Sequence, residues 1–498
     1  MVSEENNKSK AQVHNIRAAK TVAETVKSTL GPLGMDKMMV DGGGNVIVTN
    51  DGATILRELD VSHPGGKMIA EIAKTQESLC YDGTTSTVVL AGALLGNSES
   101  LFEKGLHPNV ICRGYHEAAQ MAVKYLDDEV TMESNDMLAY VARTAITGKT
   151  LESSIDTVSQ LCVDAVSKAG GDAESVKVVS FPGGSIEDSY LYGGIIVNKD
   201  YVLESDEGDY SSILLINTGM DHEKSEDNVQ VQMDAASYQS YKTGGNAALL
   251  SQSKNVTDVL PSGGVVFVRD GVNDHVCAAL KKAGIMVVRR VPESTMRALS
   301  RATGATIHQT PSDASEATQA TVRRERHNDV WYLFVENDHV SNEATLVLRG
   351  ATTHTLDEVE RGFDDALGVV SLVMRDGKVV VGGGNAYARM AMHLRTHAST
   401  IGGRAQMAIE AFADGLESIP ATIAENAGHD PLDTILAMRH ELMSGNVLAG
   451  PDVENGGVKM LDDVVEPAAL VRQAVLSAAE VTNAILRIDD IIARRGVE

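Results

Sequence analysis

The sequence predicts a multi-domain chain in which both ends of the polypeptide build one helical domain and an α/β domain is inserted between them. Three observations predict it. The 498 residues suffice for about three domains of ordinary size. Apolar residues recur at helical spacing near both termini. Only in the middle do β-prone runs alternate with helical ones, the mark of an α/β segment.

Near the start, Ile16, Ala19, Ala23, Val26 and Leu30 recur at spacings of three and four, so residues from about 11 to 30 read as a helix that Gly31-Pro32 stops. Residues 45–49 and 53–56 read as two strands around Asn50-Asp51-Gly52, a hairpin turn signal. A second helix is expected over about 65–80. A third, rich in Val, Leu and Ala, follows Tyr81-Asp82-Gly83-Thr84-Thr85. Between about 193 and 351, the runs 213–216, 264–268 and 285–288 are β-prone. Residues 205–259 are polar with weak periodicity and read as an excursion. From 355 onward Leu356, Val359, Phe363, Ala366, Leu367, Val370 and Met374 form one apolar stripe, and Gly382-Gly383-Gly384 offers the backbone freedom of a hinge. Long helices are expected near 404–427 and 467–494.

Composition excludes several classes of function. Lysine and arginine number 43 against 69 aspartates and glutamates, a formal charge of −26 that would repel phosphates and argues against a nucleic-acid partner. Cys80, Cys112, Cys162 and Cys277 are far apart with no CxxC, so neither a disulfide framework nor a zinc cluster is expected. The opening residues are polar, and no apolar run approaches the roughly 18 residues of a membrane span, so a cytoplasmic protein without a membrane partner is expected.

Four segments are candidates for chemistry. Asp82-Gly83-Thr84-Thr85-Ser86 opens a helix, where free amides and hydroxyls make an anion site. Asp82 there could hold Mg²⁺ beside phosphates, because hard cations prefer carboxylate oxygen. A plain helix cap explains the same residues and is favoured on pattern alone. Gly31-Pro32-Leu33-Gly34 reads as a close-approach turn or an ordinary C-cap. Asp51 reads as a carboxylate at a hairpin tip or a β-turn residue. Asp364 and Asp365 lie off their helix's apolar stripe and read as a solvated face. Gly148-Lys149-Thr150 ends like a P-loop, but Arg143 stands where the first glycine belongs. His393 and His397 lack the glutamate of a HExxH site and read as surface or satisfied histidines. No G-x-S-x-G nucleophile elbow occurs.

Taken in order, these pieces resemble the group II chaperonins of archaeal thermosome type. Residues 29–38, TLGPLGMDKM, resemble the family's TLGPKGMDKM, residues 49–55 its TNDGATI, and residues 82–86, DGTTS, its DGTTT. Residues 283–291, 301–305, 425–428 and 486–490 match further family segments, and the likeness is weakest from 205 to 260. The resemblance implies a mainly α-helical equatorial domain (1–135 and 384–498) that binds ATP. It also implies a small α/β intermediate hinge domain (136–202 and 351–383) and an α/β apical domain with a helical protrusion (203–350). Partners implied are unfolded proteins and other subunits, alike or different, in two stacked rings. The implied function is ATP-dependent closing of a cage around unfolded chains; a weakly hydrolysing holding subunit is the alternative.

By the same resemblance, Leu30, Gly31 and Pro32 would line ATP phosphates, and Gly83, Thr84, Thr85 and Ser86 would hold them. Asp82 would bind Mg²⁺, and Asp51 and Asp365 would orient the attacking water. Lys149 would sense the γ-phosphate, Gly383 would pack on the nucleotide, and Glu466 would reach the ribose. Departures from the family pattern are Leu33 for Lys, Leu79 for Glu, Tyr81 for Gly, Asn385-Ala386-Tyr387 for A-x-E, Ala421 for Arg and Val471 for Lys. They mark a diverged paralogue of haloarchaeal style.

Only 4% of residues are aromatic and acid is in large excess, a balance suited to concentrated salt, which screens like-charge repulsion. The thermal midpoint is therefore expected to rise from dilute buffer to molar KCl. A midpoint highest in dilute buffer would remove this reading.

Overall fold

The computed structural model describes residues 2–40, 43–44, 46–134, 136–149, 154–203, 208–221, 247, 249–337 and 343–490. Residues 222–246, where most of the expected protrusion falls, lie outside the described residues. The chain divides into two compact units, Met1–Val163 with Asp357–Glu498, and Asp164–Leu356.

The first unit is helical and discontinuous, as both chain ends predict. Its centre is the helix Thr84–Glu103, whose Val88, Leu90, Ala91, Leu94 and Leu95 are all buried. A helix apolar on nearly every side must be enclosed. Helices Val2–Lys27, Pro64–Cys80, Gly403–Asn426 and Ala468–Leu486 enclose it. With few aromatics available, the core closes by near approach of small residues. A Cβ added at Gly92 would lie 2.5 Å from Ala23 Cβ, and one at Gly114 would lie 2.5 Å from Ala408 Cβ. Tyr115 is the large exception: its ring meets Phe412 edge-on and its hydroxyl donates to the Leu94 carbonyl at 3.0 Å. Among the described residues, no helix is long and apolar enough to cross a membrane.

One expected element is corrected. Residues 53–56 are not a strand, and Asn50-Asp51-Gly52 is not a hairpin turn. Strand Val46–Thr49 pairs backwards with Lys37–Val40, while Gly52–Glu58 is a helix. Local physics decides it: Asp51 is an N-cap whose carboxylate accepts from the amides of Ala53 at 3.3 Å and Thr54 at 2.8 Å. Residues 53–56 are also buried on every side, with no period-two alternation. The remaining helices fall where periodicity places them, at Pro64–Cys80, Thr84–Glu103, Thr353–Asp376, Gly403–Asn426 and Ala468–Leu486.

The second unit carries a seven-stranded mixed sheet and a three-stranded one among its described residues. Strands Tyr210–Ile216, Gly264–Val268 and Met286–Val288 run parallel. Both faces of these strands are covered, so they read as unbroken apolar runs. Ile213, Leu215, Val265 and Phe267 enter one core, and Leu214, Ile216, Val266 and Val268 enter another. The antiparallel pair Thr318–His327 and Val330–Glu336 turns on Asn328 and Asp329, both left-handed at φ 46° and 64°, as a two-residue hairpin requires.

Asn426, within the helix Gly403–Asn426, holds the end of the first helix. Its amide Nδ2 donates to the carbonyls of Lys27 at 3.0 Å and Leu30 at 2.8 Å. Lys27 ends that helix and its carbonyl also accepts from the Leu30 amide at 3.3 Å, while the Leu30 carbonyl lies in the turn beyond, where no intrahelical donor remains. Asn426→Ala is expected to destabilise the chain by about 2 kcal/mol, the cost of leaving the Leu30 carbonyl unmet and the Lys27 carbonyl with one donor fewer, measured as a shifted denaturant midpoint with an unchanged slope.

Candidate functional site

A cavity of about 540 Å³ opens within the first unit. Seven separate stretches of chain supply the residues named from the sequence, and all of them line it. Leu30, Gly31 and Pro32 come from the end of the first helix and Asp51 from the start of a short helix. Asp82, Gly83, Thr84, Thr85 and Ser86 come from the next loop. Lys149 and Asp365 approach from two further segments, and Gly383 and Glu466 complete the lining.

The Asp82 loop is shaped by backbone constraints. The helix Pro64–Cys80 ends on Tyr81, which is left-handed at φ 64°. Gly83, at φ 79°, then starts the helix Thr84–Glu103 without a side-chain cap bond, leaving first-turn amides for another acceptor. Gln76 pins the loop from beneath, its Nε2 donating to the carbonyls of Asp82 and Leu470, each at 3.3 Å. The Asp82 carboxylate takes the Gly83 amide at 2.7 Å through one oxygen. Beside it, the short helix capped by Asp51 abuts this loop. A Cβ at Gly52 would lie 2.5 Å from Thr85 Oγ1, and Thr84 Oγ1 donates to Asp51 Oδ1 at 3.4 Å. Two helix N-termini therefore meet at one place, and both are partial positive ends.

Lys149 reaches the cavity from a loop tied down at Gly148. The Gly148 carbonyl accepts from Asn50 Nδ2 at 2.8 Å, and a Cβ there would lie 3.1 Å from Pro32 Cα. The ammonium of Lys149 pairs with the Asp365 carboxylate. Burial pushes the Asp365 carboxyl up to about 7; Lys149 pulls it down, and the Asp82 and Asp51 charges push it up again. Burial opposes the charge on Lys149, but Asp365, Asp82 and Asp51 outweigh it and move its pKa upward. Glu466 is likewise raised to about 7, first by burial and then by Asp82, while the Gly383 amide donates to its Oε1 at 3.2 Å. Asp365 thus leaves the solvated-face reading, which holds for its exposed neighbour Asp364.

The lining offers carboxylate, hydroxyl and amide groups and no thiol or imidazole. Such an oxygen set suits a hard cation such as Mg²⁺, which is held by one or two carboxylates together with phosphate and water. Among the described residues no three His, Cys, Asp or Glu are gathered as a protein-only metal cage, and a cation shared with phosphates requires none. Cys80, Cys112, Cys162 and Cys277 are free and buried. His393 stacks on Tyr125 at 4.1 Å and His397 is exposed, so neither contributes.

Sequence reasoning missed several lining residues. The sequence pattern marks Asn50 and Gly52 only as turn residues and Tyr387 only as a departure from the family, and it marks neither Lys459 nor Asp463. The Asx-capping pattern at Asp51 was the available signal for the first pair; no periodicity or motif marks the last.

Residues 22–495 match the TCP-1/cpn60 chaperonin family. Thermosome subunit alpha of Halobacterium salinarum is 41% identical, over 97% of this chain and 88% of its own length. The thermosome subunit of Methanopyrus kandleri is 41% identical over 97% and 92%, and thermosome subunit alpha of Thermoplasma acidophilum 40% over 97% and 92%. With a family match over residues 22–495 and thermosome relatives alike over 88% to 92% of their own length, the chain belongs to the TCP-1/cpn60 family and, within it, to the group II chaperonins.

Proposed function

We propose that this chaperonin subunit is an ATP-driven foldase whose 540 Å³ cavity binds and hydrolyses Mg-ATP. The observation that carries the reading is the meeting of Asp51, Asp82 and Asp365, far apart in sequence, in one cavity with two helix N-termini. Phosphoryl transfer asks a protein for position and charge more than for covalent help, and these are the groups this cavity holds.

In this reading Leu30, Gly31 and Pro32 approach the phosphates through backbone, and Gly83, Thr84, Thr85 and Ser86 bind them through amides and hydroxyls. Asp82 holds Mg²⁺, which when bound supplies neutralisation of phosphate charge. Asp51 and Asp365 accept hydrogen bonds from the attacking water and orient it. Lys149 keeps Asp365 in place and responds to the terminal phosphate. Gly383 packs on the nucleoside, and Glu466 meets its ribose. The three-domain division, with both chain ends forming the nucleotide domain, 136–202 with 351–383 the hinge and 203–350 the client-binding domain, belongs to the same proposal. So do stacked rings that close over unfolded chains in the cytoplasm. Hydrolysis is then gated, because Asp365 lies on the hinge segment.

A weakly hydrolysing, holding subunit is the second reading. Tyr81, a bulky left-handed residue beside Asp82, favours it.

Mg-dependent ATPase measurements separate the two. Asp365→Asn is expected to lower kcat roughly a hundredfold or more. Asp51→Asn should lower it comparably while leaving the thermal midpoint near wild type, because asparagine caps a helix as well as aspartate does. Wild-type hydrolysis no faster than that of Asp365→Asn would leave only the holding subunit. Electron micrographs with and without ATP test the cycle: open barrels should become closed spheres.

The raised carboxyls fix the sign of two pH effects. Hydrolysis needs Asp365 ionised, so kcat should climb as pH rises through about 7. Stability of the nucleotide-free chain should move the other way. A carboxyl whose folded pKa is raised stabilises the fold below its unfolded pKa and loses that contribution as pH climbs through the folded value, here about 7 for Asp365 and Glu466. Asp365→Asn should lose part of this stability slope in a urea series across pH 4 to 8, a window spanning roughly the unfolded and folded values.

A further inference from the structure

Tyr81 breaks a local rule. It closes the helix Pro64–Cys80 in the left-handed region at φ 64°, where glycine is the ordinary occupant and a side chain is strained. A strained conformation persists only where the surroundings over-determine it. Here the surroundings are Gly368. Any residue there other than glycine would place its Cβ 2.0 Å from Tyr81 Cγ, 2.4 Å from its Cβ and 2.5 Å from its Cδ1. The base of the Tyr81 ring therefore fills the space that a side chain at 368 would take.

The two positions are well placed to matter. Gly368 is buried in the helix Thr353–Asp376, three residues after Asp365 and so on the same helical face. Tyr81 directly precedes Asp82, whose carboxylate and backbone are fixed by Gly83 and Gln76. One aromatic ring thus joins the helix carrying Asp365 to the loop carrying Asp82. The ion pair with Lys149 holds the Asp365 head group, and Val369, Leu372 and Val373 seat the same helix in the unit's core. The Tyr81 ring, lying in the notch at Gly368, adds a direct contact between this helix and the Asp82 loop.

We propose that Tyr81 is a positioning residue: its ring, keyed into Gly368, fixes the Asp365-bearing helix against the Asp82 loop and so sets where Asp365 stands over the reacting phosphate. The proposal rests on the nucleotide-hydrolysis reading of the cavity. The key acts through the ring and needs no hydroxyl. It also reverses the meaning of Tyr81 given by the holding-subunit reading, because the residue supports hydrolysis.

The test is a cycle of Tyr81→Gly, Tyr81→Phe, Gly368→Ala and the double variant Tyr81→Gly/Gly368→Ala in the full chain, with kcat, KM for Mg-ATP and thermal midpoint read for each. Tyr81→Gly should lower kcat roughly tenfold or more, since small misplacement of a reacting group is costly, with KM changed less than about threefold. Its midpoint should not fall, because glycine suits the left-handed site. Tyr81→Phe should keep wild-type kcat. Gly368→Ala should lower both kcat and midpoint, and in the double variant the midpoint should recover because the ring is gone. Tyr81→Gly with wild-type kcat, or Tyr81→Phe as impaired as Tyr81→Gly, overturns the positioning role. An equal midpoint loss from Gly368→Ala with Tyr81 and with Gly at 81 overturns the keying itself. Absence of Mg-ATP hydrolysis in the wild type would instead overturn the reading of the cavity, while the midpoint cycle still judges the key.

Discussion

Like charges resist being gathered, and the first unit gathers six carboxylates, Asp51, Asp82, Asp365, Glu454, Asp463 and Glu466, around one cavity. Partial burial in a medium less polarisable than water makes this costly. The Lys149 ammonium offsets part of the cost at Asp365, and the caps at Ala53, Thr54 and Gly83 offset part at Asp51 and Asp82. What remains shows in the carboxyls of Asp365 and Glu466, both pushed upward chiefly by burial. An anionic ligand entering this place meets two helix N-termini with the Asp51 and Asp82 carboxylates beside them. A divalent cation accompanying it would relieve the repulsion, which is the electrostatic logic of a metal–phosphate site.

The scaffold follows from that need. Loops carrying the charged groups are anchored by amide side chains rather than by long ion pairs. Asn426 holds the turn at Leu30, Gln76 holds Asp82, and Asn50 holds Gly148. Such donors satisfy carbonyls that would otherwise be left unmet at the turns. The tight approach of helices through Gly92, Gly114 and Gly415 lets a core poor in aromatics reach ordinary density. That core brings these seven stretches of chain to one cavity of about 540 Å³.

Much of the fold was legible. The stripe of Leu356, Val359, Phe363, Ala366 and Val370 lies on the helix Thr353–Asp376, and the apolar runs near 213, 264 and 286 are parallel strands. Periodicity reports which faces are buried, and these elements are long enough to show it. The stretch 50–56 misled because Asp-Gly between β-prone residues marks a hairpin, while Asp followed by a buried run also caps a helix. Seven residues are too few for period to decide. Asp365 misled in isolation because a charge off an apolar stripe points to water in most helices, and only Lys149, 216 positions away, makes it otherwise.

By itself the sequence determined the helical ends and the inserted α/β segment, because these depend on local pattern and residue type. Tertiary structure alone decided that Asp51, Asp82, Asp365 and Lys149 share one cavity, that strand 46–49 pairs backwards, and that the ring of Tyr81 sits on Gly368. Those are relations between residues distant along the chain. Packing of whole helices sets them, and no short window of residues carries that information.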